Sequence, residues 1–349
     1  VAQLQALFLK FHNKVYDLLG PRFPAGKEDE RFLAAQRIVR WSYQWIVLHD
    51  FLPKVCGTQI VSKVMPKKGD REPNLDFYTA HGAAYIPIEF AVAAYRFGHS
   101  MVRPSYSLND VVRKGTGTFP FNGAQVPFAR IPVFVGHATA STDAMNGFGE
   151  LAPQLPPSWG IDWTFFFGTP GTAAAGAPQI PQPSYRIDAT LVDPLGDLPE
   201  FAAAGVPSPF ASLAFRNLLR GFRMHLPSGQ RVAQMMGVEP LSDEQLWSKK
   251  NEGETLEDWP EGTTFLNANR KWLEGAAPLW YYILKEAEVK HHGRHLGAVG
   301  GRIVAETLVG LAWYDHFSYL FQMPLWTPAL EGIGLGATLD MLELTTFVG

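Results

Sequence analysis

Two basic side chains three residues apart, in the stretch EFAVAAYRFGHSMVRPSY that runs from Glu89 to Tyr106, are the most chemically suggestive feature of this 349-residue chain. On a helix Arg96 and His99 project from nearly the same face, and Phe90, Ala93, Ala94 and Phe97 wall them with apolar surface. An arginine in such company needs an anion, and the local sequence offers only Glu89, about two turns away. One account is an internal Arg–Glu pair beside a core histidine. The other is a bound group that carries both a metal and carboxylates. Haem meets both demands, because an axial imidazole takes the iron while an arginine pairs with a propionate. Gly98 removes a side chain where a porphyrin would crowd the helix. A metal-bound imidazole also needs an acceptor for its second ring nitrogen. Asn217, in LAFRNLLRGF, offers an amide oxygen for that bond, with Arg216 and Arg220 beside it for charge balance.

Other chemistries find less support. GAVGGRIVAE and GIGLGATL echo glycine-rich nucleotide loops, but neither follows a strand or has an acidic residue at the right remove, so close helix packing and turns explain them. No G-x-S-x-G elbow is present, and no Ser or Cys has a neighbouring base. HHGRH offers an i,i+4 imidazole pair in His291 and His295, with His292 between them, yet Gly293 and the charged surroundings read as a helix end. His12, His49, His81, His137, His225 and His316 read as capping, turn or core histidines. The lone Cys56 excludes a disulfide framework and fits a buried, inert thiol. A net charge of −3 without any long Lys/Arg run argues against nucleic acid as a partner.

With 46% hydrophobic and 18% charged residues the chain can bury a large core. The elements that must position these side chains are mainly helices. Leu4, Leu7, Phe8, Phe11, Val15 and Leu18 recur at helical spacing until GPRFPAG. A second helix runs from the acidic EDERF to Pro53, which is expected to close it. From about residue 103 to 183 the sequence is rich in turn formers, with room for a short hairpin and one helix at DWTFFF. Helical patterning returns at SPFASLAFRNLLRGF, GQRVAQMM, SDEQLW, PLWYYILKEAEV and VGGRIVAETLVGLAWYDHFSYLF. No βα alternation and no linker intervenes, so the expectation is a single, mainly α domain over residues 1–349 with long irregular loops and little β structure. No transmembrane span is expected, because Asp315 and His316 interrupt the most apolar run. The opening VAQLQALFLKFHNKV has no initiator Met and no signal-peptide core, and it reads as starting inside a fold.

In this order, FLKFHNKV, AAQRIVRWSYQWIVLHDFLP, AYRFGHSMVRP, FRNLLRG with LPSGQRVA, and GGRIVAETLVGL resemble the animal-type haem peroxidases of the peroxidase-cyclooxygenase superfamily, and in particular their bacterial members. The resemblance spans nearly the whole chain and implies a mainly α fold around a central haem b. It implies that His99 is the proximal ligand to the haem iron, that Arg96 pairs with a propionate, and that Asn217 takes the proximal imidazole's hydrogen bond, with Arg220 nearby. Hydrogen peroxide and small organic donors or halides are the partners it implies. Fatty-acid oxygenases of the superfamily carry a radical-forming tyrosine three residues before the proximal histidine. This chain has Arg96 there, while Tyr95 lies about 100° further round a helix.

The family's distal Gln-x-x-x-His-Asp segment and distal arginine lie upstream of the helix with which this chain begins, and neither is in it, so no catalytic distal residue is identified. Calcium is possible in the family, but its loop is not in this chain either. YQWIVLHD imitates the distal segment, yet its Gln44-to-His49 separation puts the two side chains about 140° apart, against about 40° for the family's spacing. The expected function is therefore a haem-dependent peroxidase whose distal part lies in a separate or missing N-terminal segment. The alternatives are a non-catalytic member kept for binding or assembly, or a haem fatty-acid dioxygenase. A secreted or cell-envelope location is weakly favoured by the resemblance alone.

Overall fold

The computed structural model describes residues 2–67, 69–70, 72–114, 118–121, 124–127, 130–133, 159–169, 181–198, 208–247 and 260–349. The expected mainly α architecture is observed. Along the chain the helices are α1 (Ala2–Leu18), α2 (Glu28–Ile46), α3 (Leu52–Cys56), α4 (Thr58–Val64), α5 (Asp110–Arg113), α6 (Thr164–Phe167), α7 (Leu213–Arg223), α8 (Gly229–Met235), α9 (Asp243–Trp247), α10 (Pro260–Leu273), α11 (Leu279–His291), α12 (Ala298–Trp313), α13 (Tyr319–Gln322) and α14 (Met341–Val348). Among the described residues, strand is confined to two antiparallel pairs, β1 (Ser105–Tyr106) with β4 (Ile131–Pro132) and the hairpin β2 (Thr118–Phe121) with β3 (Ala124–Pro127). The hairpin and the helix at DWTFFF fall where the turn-rich stretch has room for them. His137 and most of PQLPPSWG and GTPGTAAAGAPQIPQP lie outside the described residues.

Pro53 does not close the second helix. A π-helical turn, Val47–Phe51, carries α2 directly into α3, with Pro53 at the first positions of the new segment. The wide turn removes the demand for a proline N–H and the clash with the preceding carbonyl, so the helix runs on to Cys56. It stops at Gly57, whose φ of +80° suits glycine and starts α4 in a new direction.

α11 and α12 form the buried centre. They pack with α3, α8 and the segment around Phe90, Ala93, Ala94 and Phe97 in one large apolar core. A second core joins α1, α2 and α14, and Trp45 packs against both. The Gly-rich start of α12 is a packing device, as the sequence suggests. A Cβ on Gly300 would come within 2.5 Å of Ile283 Cγ2, and one on Gly301 within 2.7 Å of Ile60 Cδ1. The same helix end is capped from α11: the buried Glu286 carboxylate accepts the N–H groups of Val299 and Gly300. Desolvation raises its pKa to about 7, against the opposing pull of those backbone bonds. Cys56 is buried and its thiol pKa is raised by the same cause, as expected of an inert thiol. Among the described residues no helix is long and apolar enough to cross a membrane.

Two outcomes follow from this centre. Gly300→Ala gains about 1 kcal/mol of helix propensity but overpacks Ile283 at about 1–3 kcal/mol, so chemical denaturation should show a net loss. The folded Glu286 binds its proton more tightly than the unfolded one, so its contribution to stability falls as pH rises from about 4.5 to about 7. The thermal midpoint of Glu286→Gln should depend less on pH than that of the parent over this window.

Candidate functional site

Arg96 and His99 do not sit on a regular α-helix. Glu89–Ala93 form a π-helical turn, and Ala94–Met101 continue as a 3₁₀-helix of unusual length. With three residues per turn, positions 96 and 99 eclipse, so their side chains align more closely than α geometry would place them. Trp280 of α11 anchors this segment by donating its Nε1–H to the Arg96 carbonyl at 3.2 Å. The facing element is α7, whose start is capped by the Ser212 hydroxyl accepting the Phe215 N–H. Polar Asn217 is 1% exposed there, on the face turned towards the 3₁₀ segment.

Asn217 joins the two candidates. Arg96 Nη1 donates to Asn217 Oδ1 at 3.0 Å, and Asn217 Nδ2 lies 2.8 Å from His99 Nδ1. Arginine has only donors, so the amide must turn its oxygen to Arg96 and its NH₂ to the imidazole. His99 Nδ1 is then an acceptor, and the neutral ring carries its proton on Nε2. This reverses the expected direction, in which the Asn217 oxygen accepts from His99. The reason is local: Arg96 occupies that oxygen.

Arg96, His99 and Asn217 line one cleft of about 820 Å³, within the range of small-molecule and cofactor sites. Arg216 and Arg220 line it as well, as does Arg223, one helical turn beyond Arg220, whose spacing in the sequence could have disclosed it. The other walls include Phe210, just before α7, and Leu195 and Leu198, which come from a segment without helical periodicity. Arg96 has no carboxylate partner among the described residues, and Glu89 lines a different cavity, so the internal Arg–Glu pair is not formed. Desolvation and then the nearby Arg220 and Arg216 charges lower the pKa of Arg96. Desolvation and the Arg96 charge likewise lower that of His99, so the imidazole is neutral at pH 7. The cleft thus sets a neutral imidazole beside four arginines, which suits a ligand with a metal and anionic arms. A Cβ on Gly98 would meet open space.

The other histidine expectations resolve away from this cleft. The His291 and His295 rings lie tilted against each other with centroids 4.0 Å apart at the end of α11, where His292 and Gly293 take left-handed backbone, and no group of three potential metal ligands converges among the described residues. His49 lies on the π turn and does not line the cleft; nor does Tyr95, which stacks on Phe90 at 4.5 Å.

Residues 1–135 match the family described as animal haem peroxidase. The matched stretch is less than half of the chain, and over it the chain is similar to that family. Across 111 residues it is 29% identical to peroxidase mlt-7 of Caenorhabditis elegans, covering 32% of this chain and 14% of that protein. Chorion peroxidase of Drosophila melanogaster is 31% identical across 105 residues, covering 30% of this chain and 13% of that protein. The fold is that of peroxidase A from Dictyostelium discoideum, with a TM-score of 0.59 at 17% identity over 98% of this chain and 54% of the other. The chain thus spans about half of that structure and a much smaller share of these curated relatives.

The Arg96 clamp on Asn217 can be read directly. In ligand-free protein, ¹⁵N NMR should place the His99 proton on Nε2, with a titration midpoint below the usual histidine value. In Arg96→Leu the amide is free to turn and the opposing charge is gone, so the proton should shift towards Nδ1 and the midpoint should rise.

Proposed function

We propose that this chain carries the proximal side of a haem peroxidase, with haem b held in the Arg96–His99–Asn217 cleft and hydrogen peroxide and small organic donors or halides as substrates of the complete protein. The observation that carries this reading is a neutral imidazole sharing one cleft with four arginines, of which Arg96 has no carboxylate partner among the described residues. The match of residues 1–135 to the animal haem peroxidase family supports haem binding in general. Haem, when bound, supplies the redox chemistry with peroxide, and the protein supplies ligation, orientation and charge.

The chain's own residues divide that work. His99 is the proposed iron ligand, and ligation through Nε2 requires its proton on Nδ1. Asn217 must then present Oδ1 to the ring instead of Nδ2, which it can do only when Arg96 releases that oxygen. A propionate gives Arg96 a charged partner in place of a neutral amide, and charge-assisted bonds of this kind are roughly twice as strong. Propionate binding by Arg96 and correct orientation of His99 by Asn217 are therefore one coupled event. Arg220 contributes charge to the same cleft. The exposed, Phe90-stacked position of Tyr95 leaves the dioxygenase reading without a radical-forming tyrosine beside His99.

Titration of the chain with haemin should produce a Soret band of a histidine-ligated ferric haem. His99→Ala should abolish or strongly shift that band; an unchanged spectrum would refute the ligand assignment. Asn217→Ala should keep the band but change the iron reduction potential, because the imidazole loses its hydrogen-bond partner.

A further inference from the structure

A second group of residues, outside the haem cleft, is arranged for electron and proton transfer. Tyr319, the first residue of α13, is 1% exposed, and its hydroxyl lies 2.9 Å from His49 Nε2. His49 is exposed as a residue, while its ring is partly desolvated where it packs against Trp45 and Tyr319. Trp45 stacks flat on His49 at 3.8 Å, lies 5.7 Å from Tyr319 and 6.0 Å from Trp326, and Trp41 continues the cluster 5.4 Å beyond Trp326.

The polar partners of these rings differ in a way that selects one of them. An oxidised phenol becomes a strong acid, and an oxidised indole a much weaker one, so a phenol in particular is oxidised most readily where a base can take its proton within hydrogen-bond reach. Trp45 Nε1 is buried with no hydrogen-bond partner among the described residues. Trp41 Nε1 donates to the Phe317 carbonyl, which is not a base at neutral pH. Trp326 Nε1 donates to Glu331, but Arg37 already holds that carboxylate through both oxygens. Only Tyr319 meets an uncharged imidazole. Its own phenol stays protonated in the resting state because burial raises its pKa, while desolvation lowers that of His49 and leaves the imidazole neutral at pH 7.

We propose that Tyr319 and His49 form a proton-coupled redox site. A one-electron oxidant of high potential removes an electron from the Trp45–Trp326–Trp41 cluster or from Tyr319 itself. The phenol gives up one electron in total, its O–H bond breaks, and the proton forms an N–H bond at His49 Nε2, leaving a neutral tyrosyl radical, an imidazolium and the oxidant reduced by one electron. Exposure of His49 lets the imidazolium exchange its proton with solvent, and burial of Tyr319 shields the radical from reductants and from coupling to a second tyrosine.

The test uses the full chain without haem, so that failure of the haem assignment leaves it unaffected. Ruthenium(III) tris-bipyridine, made by a light flash in the presence of persulfate at pH 7, serves as the oxidant. A brief ascorbate chase removes radicals on exposed tyrosines such as Tyr43 and Tyr95. Electron paramagnetic resonance of the frozen sample should then show a surviving tyrosyl signal. Tyr319→Phe should remove it. His49→Gln, which keeps an acceptor but cannot take a proton, should lower its yield roughly tenfold or more. Because His49 is exposed, that variant stands even if Tyr319→Phe folds poorly. No surviving signal in the parent protein, an undiminished one in folded Tyr319→Phe, or a parental yield in His49→Gln would overturn the proposal.

Discussion

One buried side chain, Asn217, makes the candidate site a single object. It bridges Arg96 and His99 on the 3₁₀ segment to α7, across more than a hundred residues of chain, through bonds of 3.0 and 2.8 Å. An amide is suited to this because it presents one acceptor and one donor edge, so two different partners can be held at once. The same property makes the arrangement reversible. Turning the amide exchanges the roles of its edges, and the partner with only donors decides which edge faces which way. The charge state around Arg96 therefore controls the proton position on His99, although the two side chains are not bonded to each other.

The irregular backbone serves the same end. A regular α-helix from residue 89 to 101 would place Arg96 and His99 about 60° apart around the axis; the 3₁₀ segment superimposes them on one line. The π turn before it supplies the opposite adjustment, widening the helix over Glu89–Ala93. A second π turn, at Val47–Phe51, lets Pro53 sit within a continuous helix and carries His49 to Tyr319. Both departures from α geometry thus fall where a polar side chain has a specific partner. Rigid support comes from α11 and α12, whose close approach depends on Gly300 and Gly301.

Much of this was legible in the residues. Helix positions followed from apolar spacing and turn formers, the pairing of Arg96 with His99 followed from their spacing on an apolar face, and Asn217 was joined to them by the family resemblance. Three kinds of information were not. The π and 3₁₀ turns depend on tertiary packing, since EFAVAAYRFGHSM has nothing against an ordinary helix. The direction of the Asn217 bond depends on Arg96 competing for the amide oxygen, and spacing cannot rank competitors across 121 residues of separation. The cleft walls at Leu195 and Leu198 come from a stretch without periodicity, so no pattern marks them.

His49 shows how one residue can mislead and inform in turn. Its neighbourhood in the sequence, with Gln44 and Asp50, imitates a distal segment, and the helical angle between Gln44 and His49 argues against that role. In the fold both side chains reach the same residue: Gln44 Oε1 accepts the Tyr319 N–H, and His49 Nε2 meets the Tyr319 hydroxyl. The wide turn between them makes that convergence possible, because it rotates His49 away from the position an α-helix would give it. A histidine that imitates a peroxide-cleaving base is thereby committed to a buried phenol, and the physical question it raises shifts from acid–base catalysis to where an oxidised protein keeps its missing electron.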